Sequence, residues 1–269
     1  MDGKEKGKSM TLLAGQHAIV IPFAGRERWD RKLRWMEKAL SLYPTWSLVL
    51  VGLNKEAFEK IQHRLGEACF PRVHGMLREE KPFRVRSVEM NEAVRQGILW
   101  GFAEGAQAAC TWEAEGEVYP EDVEGMFALL HKSEGVDHVM AARLRLLGRD
   151  IERSLIRLYY ERIFATGISL AIDLSVYDTL CFSQVYLPSH SVIETLSRPF
   201  SCALLWQAEF LLRRKMKQAK SPISGQRTLE YPLRHWENHG YSGMWLRHAT
   251  QVLWEIAVLA KIYRLRGDS

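Results

Sequence analysis

Residues 17–23 read His-Ala-Ile-Val-Ile-Pro-Phe, an apolar, β-branched run too short for a buried helix and closed by Pro22. The period then changes. Leu33, Met36, Ala39, Leu40 and Tyr43 recur at helical spacing across 29–43 until Pro44 stops them. Residues 46–53, Trp-Ser-Leu-Val-Leu-Val-Gly-Leu, return to the strand type. Two uniformly apolar strands separated by a helix imply a parallel pair joined by a crossover, with helices covering both faces of the sheet. The alternation continues, with strands expected at 83–88, 108–112 and 138–143 and helices at 91–104, 121–131 and about 150–166. The chain is therefore expected to be an α/β protein with a mostly parallel central sheet flanked by helices.

A chain of 269 residues can enclose one large α/β core. Apolar residues at 47% and charged residues at 26% exclude a disordered or collagen-like chain. Residues 1–15 read as a tail, 16–240 as the domain and 241–269 as an appended helix. In that helix Met244, Ala249, Val252, Leu253, Ile256, Leu259, Ala260 and Tyr263 share one face, away from Arg247, Lys261, Arg264 and Arg266. Such a helix either packs on the domain or lies on lipid.

Cys69, Cys110, Cys181 and Cys202 show no metal or redox spacing and are expected to be reduced thiols of a cytoplasmic protein. No stretch approaches the roughly 20 apolar residues of a membrane span, so any membrane contact is expected to be peripheral, at the inner face. The net charge of +5 suits an anionic partner such as a nucleotide, a lipid phosphate or an anionic membrane surface, and nucleic acid is not expected. The run Arg213-Arg214-Lys215-Met216-Lys217, with Lys220, either complements a helix C-terminus or touches lipid headgroups. His235 and His239 are four apart, but Pro232 and Gly240 argue against a helix that would aim both at one ion.

The segment 93–122, AVRQGILWGFAEGAQAACTWEAEGEVYPED, carries the most specific pattern. It resembles the family 2 glycosyltransferases, in which a helix Ala-x-x-x-Gly precedes a strand ending Asp-Ala-Asp. It is most similar to the polyprenol-phosphate sugar synthases, which continue x-Gln-x-x-Pro-Glu. Ala93 and Gly97 match the helix, Glu113-Ala114-Glu115 stands at Asp-Ala-Asp, Glu117 at the Gln, and Pro120-Glu121 follows in register. Acids at alternate positions of a strand end point the same way, so Glu113, Glu115 and Glu117 are expected to converge on Mg²⁺ or Mn²⁺. An acidic turn ahead of a helix N-terminus is the plainer alternative.

Weaker matches extend the resemblance over roughly residues 17–250. They include the loop after Pro22, Arg143, the segment Asp178-Thr179-Leu180-Cys181-Phe182, Glu209, Glu230-Tyr231-Pro232-Leu233 and Ser242-Gly243-Met244. The resemblance implies a GT-A fold and assigns Pro22, Phe23, Gly25, Glu27, Gly52, Arg95, Glu113 and Ala114 to a nucleoside diphosphate sugar. It implies a polyprenyl phosphate acceptor held by Arg143, Arg153 and Arg234, with Asp178 as a base or orienting carboxylate.

Several functional positions depart from the family pattern. Gly25 replaces the loop's Asn, the second strand ends Gly52-Leu53-Asn54 without its acid, both metal-motif aspartates are Glu, and Phe182 and Gly243 replace a Gly and a Lys. A divergent metal-dependent glycosyltransferase and a catalytically silent protein of the same fold that acts as a binding or scaffold module are both compatible with these departures.

Overall fold

The computed structural model describes residues 16–24, 29–78, 83–84, 87–152, 155–220, 227–237 and 245–267. The expectations for residues 1–15, Gly25, Glu27, Arg153, His239 and 242–244 lie outside these residues.

The opening unit is β1 (His17–Pro22), α1 (Trp29–Leu42) and β2 (Trp46–Val51), with the strands paired in parallel from His17↔Trp46 to Pro22↔Val51. There follow α2 (Lys55–Leu65), a 3-10 turn (Glu67–Arg72), β3 (Val73–Met76), α3 (Val88–Ala103), β4 (Ala108–Thr111), α4 (Pro120–Lys132) and β5 (Val136–Ala142). The chain continues through β6 (Asp150–Ile151), α5 (Leu155–Ile172), β7 (Gln184–Tyr186), α6 (His190–Leu196), α7 (Trp206–Lys220), β8 (Arg227–Pro232), β9 (His235–Trp236) and α8 (Trp245–Gly267). Seven strands form one sheet in the order β3-β2-β1-β4-β7-β5-β8, and β6 pairs separately with β9. Only β7 runs antiparallel, inserted between β4 and β5.

Side-chain alternation along the buried strands feeds two cores. Ile19 and Ile21 of β1 face Leu33, Met36, Ile61 and Phe127 from α1, α2 and α4. Ala18 and Val20 face Val94 and Ile98 of α3 in the second core, to which α6, α7 and α8 also contribute. A Cβ on Gly97 would stand 2.8 Å from Val20 Cγ1, so the glycine of the Ala-x-x-x-Gly helix is what lets α3 lie close to β1.

Two expectations are corrected. Within 83–88, expected as a strand, Phe83 makes a single bridge to Ala24 and α3 already begins at Val88, where Ser87 Oγ accepts from Met90 N at 3.1 Å. The edge strand is instead β3, whose sequence Val-His-Gly-Met has no apolar run and is held by pairing with Leu48–Val51. The helix expected from about 150 starts at Leu155, because Asp150 and Ile151 pair with His235 and Trp236.

The terminal helix packs on the domain. Val252, Leu259 and Tyr263 are buried, and Glu255 accepts hydrogen bonds from Ala203 N (3.1 Å), Leu204 N (2.8 Å) and Leu205 N (2.8 Å), just ahead of α7. Leu253, read above as part of the inner face, is 58% exposed beside Trp254 at 70%. The basic run of α7 is engaged internally: Arg213 pairs with Glu209, Arg214 with Asp137, Lys215 with Asp173 and Lys217 with Glu194. That engagement favours the plainer reading of the run as cations paired within the domain. Among the described residues, no helix is long and apolar enough to cross a membrane.

Candidate active site

The chain leaves β1 toward β2 and leaves β4 toward β5, although β1 and β4 are neighbours in the sheet. Open α/β sheets bind ligands at such a point, beyond the carboxyl ends of the strands. Pro22 and Phe23 end β1, Gly52 follows β2 and Glu113 to Glu117 follow β4, so these sequence-derived positions stand at the carboxyl ends of three adjacent strands, bordering the crevice where such sheets bind ligands. Phe23 N donates to Val51 O at 2.9 Å and Trp112 N to Val20 O at 3.0 Å, which keeps the three strand ends level. Gly52 has φ +92°, and a Cβ there would fall 2.6 Å from both Phe23 O and the Phe83 ring.

The acidic segment is a loop, not a strand end. β4 stops at Thr111, and Ala114 (φ 55°) and Gly116 (φ 86°) have left-handed backbone. A left-handed residue breaks the two-residue period that would align three glutamates. Accordingly, no three His, Cys, Asp or Glu side chains gather as a metal-binding group among the described residues. The expected convergence of Glu113, Glu115 and Glu117 is thus corrected to an interacting pair. Burial pushes the Glu115 carboxyl above its usual range, Lys32 pulls it back, and the Glu113 charge raises it further. The Glu113 charge also adds a little to the rise of the Cys181 thiol, which burial pushes up to about 12.

Lys32 was missed by the sequence reading. Its side chain is fully buried in the first turn of α1, where Nζ donates to Pro22 O and lies 3.7 Å from Glu115 Oε1 and 4.8 Å from the Phe23 ring centroid. One ammonium therefore ties the loop after β1 to the acidic loop after β4. The available signal was spacing, since Lys32 precedes Met36 and Leu40 on the apolar stripe of α1.

On the far side of the crevice, Arg143 and Asp178 prove to be partners of each other. The guanidinium grips the carboxylate at 2.6 Å (Nε) and 2.8 Å (Nη2), and Arg143 N adds a bond of 3.1 Å. This fork-on-carboxylate geometry makes them a buried clamp joining the end of β5 to the 178–183 segment. Glu230 supports the clamp by accepting from Tyr177 N and Asp178 N, both within 2.9 Å. Burial raises the Glu230 carboxyl, and these amides offset the rise.

Arg95 is directed away from the crevice, with its guanidinium on Glu92 and Leu196 O. The Arg234 side chain is exposed, and its backbone N donates to the buried Asp122 carboxylate. Arg162, on α5, was not anticipated: its guanidinium lies 3.7 Å from the Tyr177 ring centroid, and its buried Nη1 lacks a hydrogen-bond partner. Nothing in the surrounding sequence singles it out.

A small cleft is lined by Met90, Asn91, Phe182, Trp206 and Gln207 among others. Thr111 Oγ1 donates to Phe182 O at 2.6 Å and Gln207 Nε2 to Cys181 O at 2.6 Å, fixing its wall to the end of β4. Gln207 is 2% exposed, and its Oε1 has no hydrogen-bond partner.

The sequence matches no family model and no curated protein. Solved structures do match. Glucosyl-3-phosphoglycerate synthase from Mycobacterium tuberculosis, in complex with Mn²⁺, UDP-glucose and phosphoglyceric acid, superposes with a TM-score of 0.54 at 14% identity, covering 92% of this chain and 80% of that one. The same enzyme in complex with phosphoglyceric acid gives 0.55 at 12% identity over 92% and 80%. A mycobacterial protein gives 0.54 at 14% over 90% and 74%. At these identities the likeness is one of architecture: the chain has the GT-A fold of those structures, with its C-terminal helix packed on the domain.

Proposed function

We propose that this chain is a glycosyltransferase that moves a sugar from a nucleoside diphosphate sugar to a phosphate-bearing acceptor. The observation that carries the reading is the Glu113–Glu115 pair at the switch point of the sheet, tied through Lys32 to the loop after β1. Hard divalent cations commonly bind one or two carboxylates and complete their shell with substrate phosphates and water, so a two-acid site fits Mg²⁺ or Mn²⁺. Glu113 and Glu115 would hold the ion. When bound, it supplies charge neutralisation for the departing diphosphate. The neighbouring fold's occupants, Mn²⁺ with UDP-glucose, support this assignment.

Pro22, Phe23 and Gly52 offer backbone and a compact floor for the nucleotide. Gln207 Oε1, buried without a donor, accepts a hydroxyl of the donor sugar in the cleft it lines, since an unpaired buried carbonyl oxygen costs about 1–3 kcal/mol. Arg162, with its unused Nη1, meets the acceptor phosphate in place of Arg143. A phosphate is already ionised near neutral pH and attacks the anomeric carbon without a strong base, which suits an Asp178 whose oxygens are engaged by Arg143. Catalysis then comes from in-line positioning and charge stabilisation.

Polyprenyl phosphate is the acceptor the sequence resemblance favours, and phosphoglyceric acid is the compound bound by the structural neighbour. The test supplies radiolabelled UDP-glucose and Mn²⁺ with either undecaprenyl phosphate or 3-phosphoglycerate. Label extracted into butanol is expected; label confined to water-soluble glucosyl phosphoglycerate transfers the assignment to the soluble acceptor. The silent-fold alternative has one observation in its favour: Asn54, where the family's base-recognising acid would stand, serves as the cap of α2 by accepting from Ala57 N at 2.8 Å. No transfer to either acceptor, with donor binding absent, would establish that alternative.

A further inference from the structure

The loop between β5 and β6 ends in a hydrophobic point. Leu147 is 106% exposed and Leu146 47% exposed. Arg149 N donates to Leu146 O at 3.1 Å across a four-residue turn, and Gly148 takes φ 78° at the third position, as a type II turn requires. The stems are anchored on both sides. Arg143 is held by Asp178, and Asp150 N donates to Arg234 O at 2.9 Å where β6 meets β9. The two leucines are therefore presented on a turn whose stems are both tied to the domain.

A single exposed leucine needs no explanation, but two adjacent ones on a rigid projection do. Exposed Arg145 and half-exposed Arg149 flank them, and the sequence contains no acid between Arg143 and Asp150, whose carboxylate engages His235 at 3.1 Å. The chain then enters α5, where Tyr159 (69% exposed) and Ile163 (66%) lie one turn apart on an outward face. An apolar point flanked by Arg145 and Arg149, with the exposed Asp150 and Glu152 set back at the stem, is complementary to an anionic bilayer: the leucines enter the acyl boundary and the guanidiniums meet headgroup phosphates. A second protein surface would have to offer a narrow acidic socket.

We infer that the Leu146–Leu147 turn is a membrane-docking tip that holds the acceptor side of the crevice against an anionic lipid surface. The inference draws on the proposed lipid-phosphate acceptor only for its purpose, because adsorption is measured without donor or acceptor. It also relocates membrane contact, since the 213–217 run is internally paired.

The test is co-sedimentation of the full chain with vesicles of phosphatidylcholine alone or containing about one third phosphatidylglycerol, at low and high salt. Wild type is expected to bind the anionic vesicles and to release as salt rises. Leu146→Ser/Leu147→Ser and Arg145→Glu/Arg149→Glu are each expected to weaken binding by roughly tenfold or more. Leu253→Ser/Trp254→Ser, on the exposed face of α8, is expected to leave it unchanged. UDP-glucose affinity, measured on the same proteins, reports the donor site separately. The inference is overturned if wild type ignores anionic vesicles, if the α8 variant loses binding while the tip variants keep it, or if sedimentation velocity shows the tip variants dissolving a dimer.

Discussion

Lys32 is the residue whose environment says most about the site. A fully buried ammonium is tolerated only with partners, and here these are a backbone carbonyl, a carboxylate and an aromatic face. Glu115 keeps 28% of its side chain exposed, so the pair is half-screened on the side open to the crevice. Lys32→Met is expected to destabilise the fold by about 1–3 kcal/mol, read by urea unfolding, because Glu115 and Pro22 O lose their donor. An unchanged midpoint would mean that the ammonium contributes nothing net. The acids were legible from their spacing in the sequence, because paired carboxylates beside a strand end are a chemical signature. Lys32 and Arg162 were not: a lysine in an amphipathic helix is by default a solvated one, and only the curl of the loop after β4 turns Glu115 toward it. The left-handed turn at Ala114 was equally hidden, since alanine carries no signal for it.

At the scale of elements, the three buried strands β1, β2 and β4 and their helices were readable because uniform apolar runs have no other use in a parallel sheet. The edge strand β3 and the inserted β7 were not, since both owe their conformation to pairing partners distant in sequence. The terminal helix was readable as amphipathic, but what it packs on was not. Glu255 explains the docking: it satisfies three amides that no helical carbonyl reaches ahead of α7. Glu255→Ala is expected to cost about 2–4 kcal/mol and to speed hydrogen exchange at Ala203, Leu204 and Leu205 above other amides of that segment. Uniform exchange across α7 in the variant would contradict this local role.

At the scale of the molecule, the sheet divides two cores, and its end beyond β1 and β4 carries the Glu113, Glu115 and Lys32 charges. The half of the sheet around β5 and β7 instead buries a polar network beside the Arg214–Asp137 ion pair. His138 is fully buried, with Nε2 2.8 Å from Gln184 Oε1 and Nδ1 3.2 Å from Thr228 Oγ1. Burial first, and then the nearby Arg214 charge, lower its pKa to about 3. Because the folded value lies below the unfolded one, this contribution to stability is complete above about pH 6.5. It declines as the pH falls toward 3, by up to ~1.4 kcal/mol per pH unit. Urea unfolding at pH 7 and pH 5 is expected to show that loss in wild type and a shallower slope in His138→Phe, whatever the variant's absolute stability. Equal slopes would place the acid sensitivity elsewhere.

The central claim is that the crevice beyond β1 and β4 binds a nucleoside diphosphate through a cation held by Glu113 and Glu115. Calorimetric titration with UDP-, GDP- and ADP-sugars, in Mn²⁺ and in EDTA, tests it on wild type and on Glu115→Ala. Wild type is predicted to bind one donor class in Mn²⁺, and to weaken by at least about tenfold both in EDTA and on loss of the Glu115 carboxylate, with the fold intact by circular dichroism. No binding of any donor by wild type in Mn²⁺, or equal heats from wild type and Glu115→Ala, would contradict it.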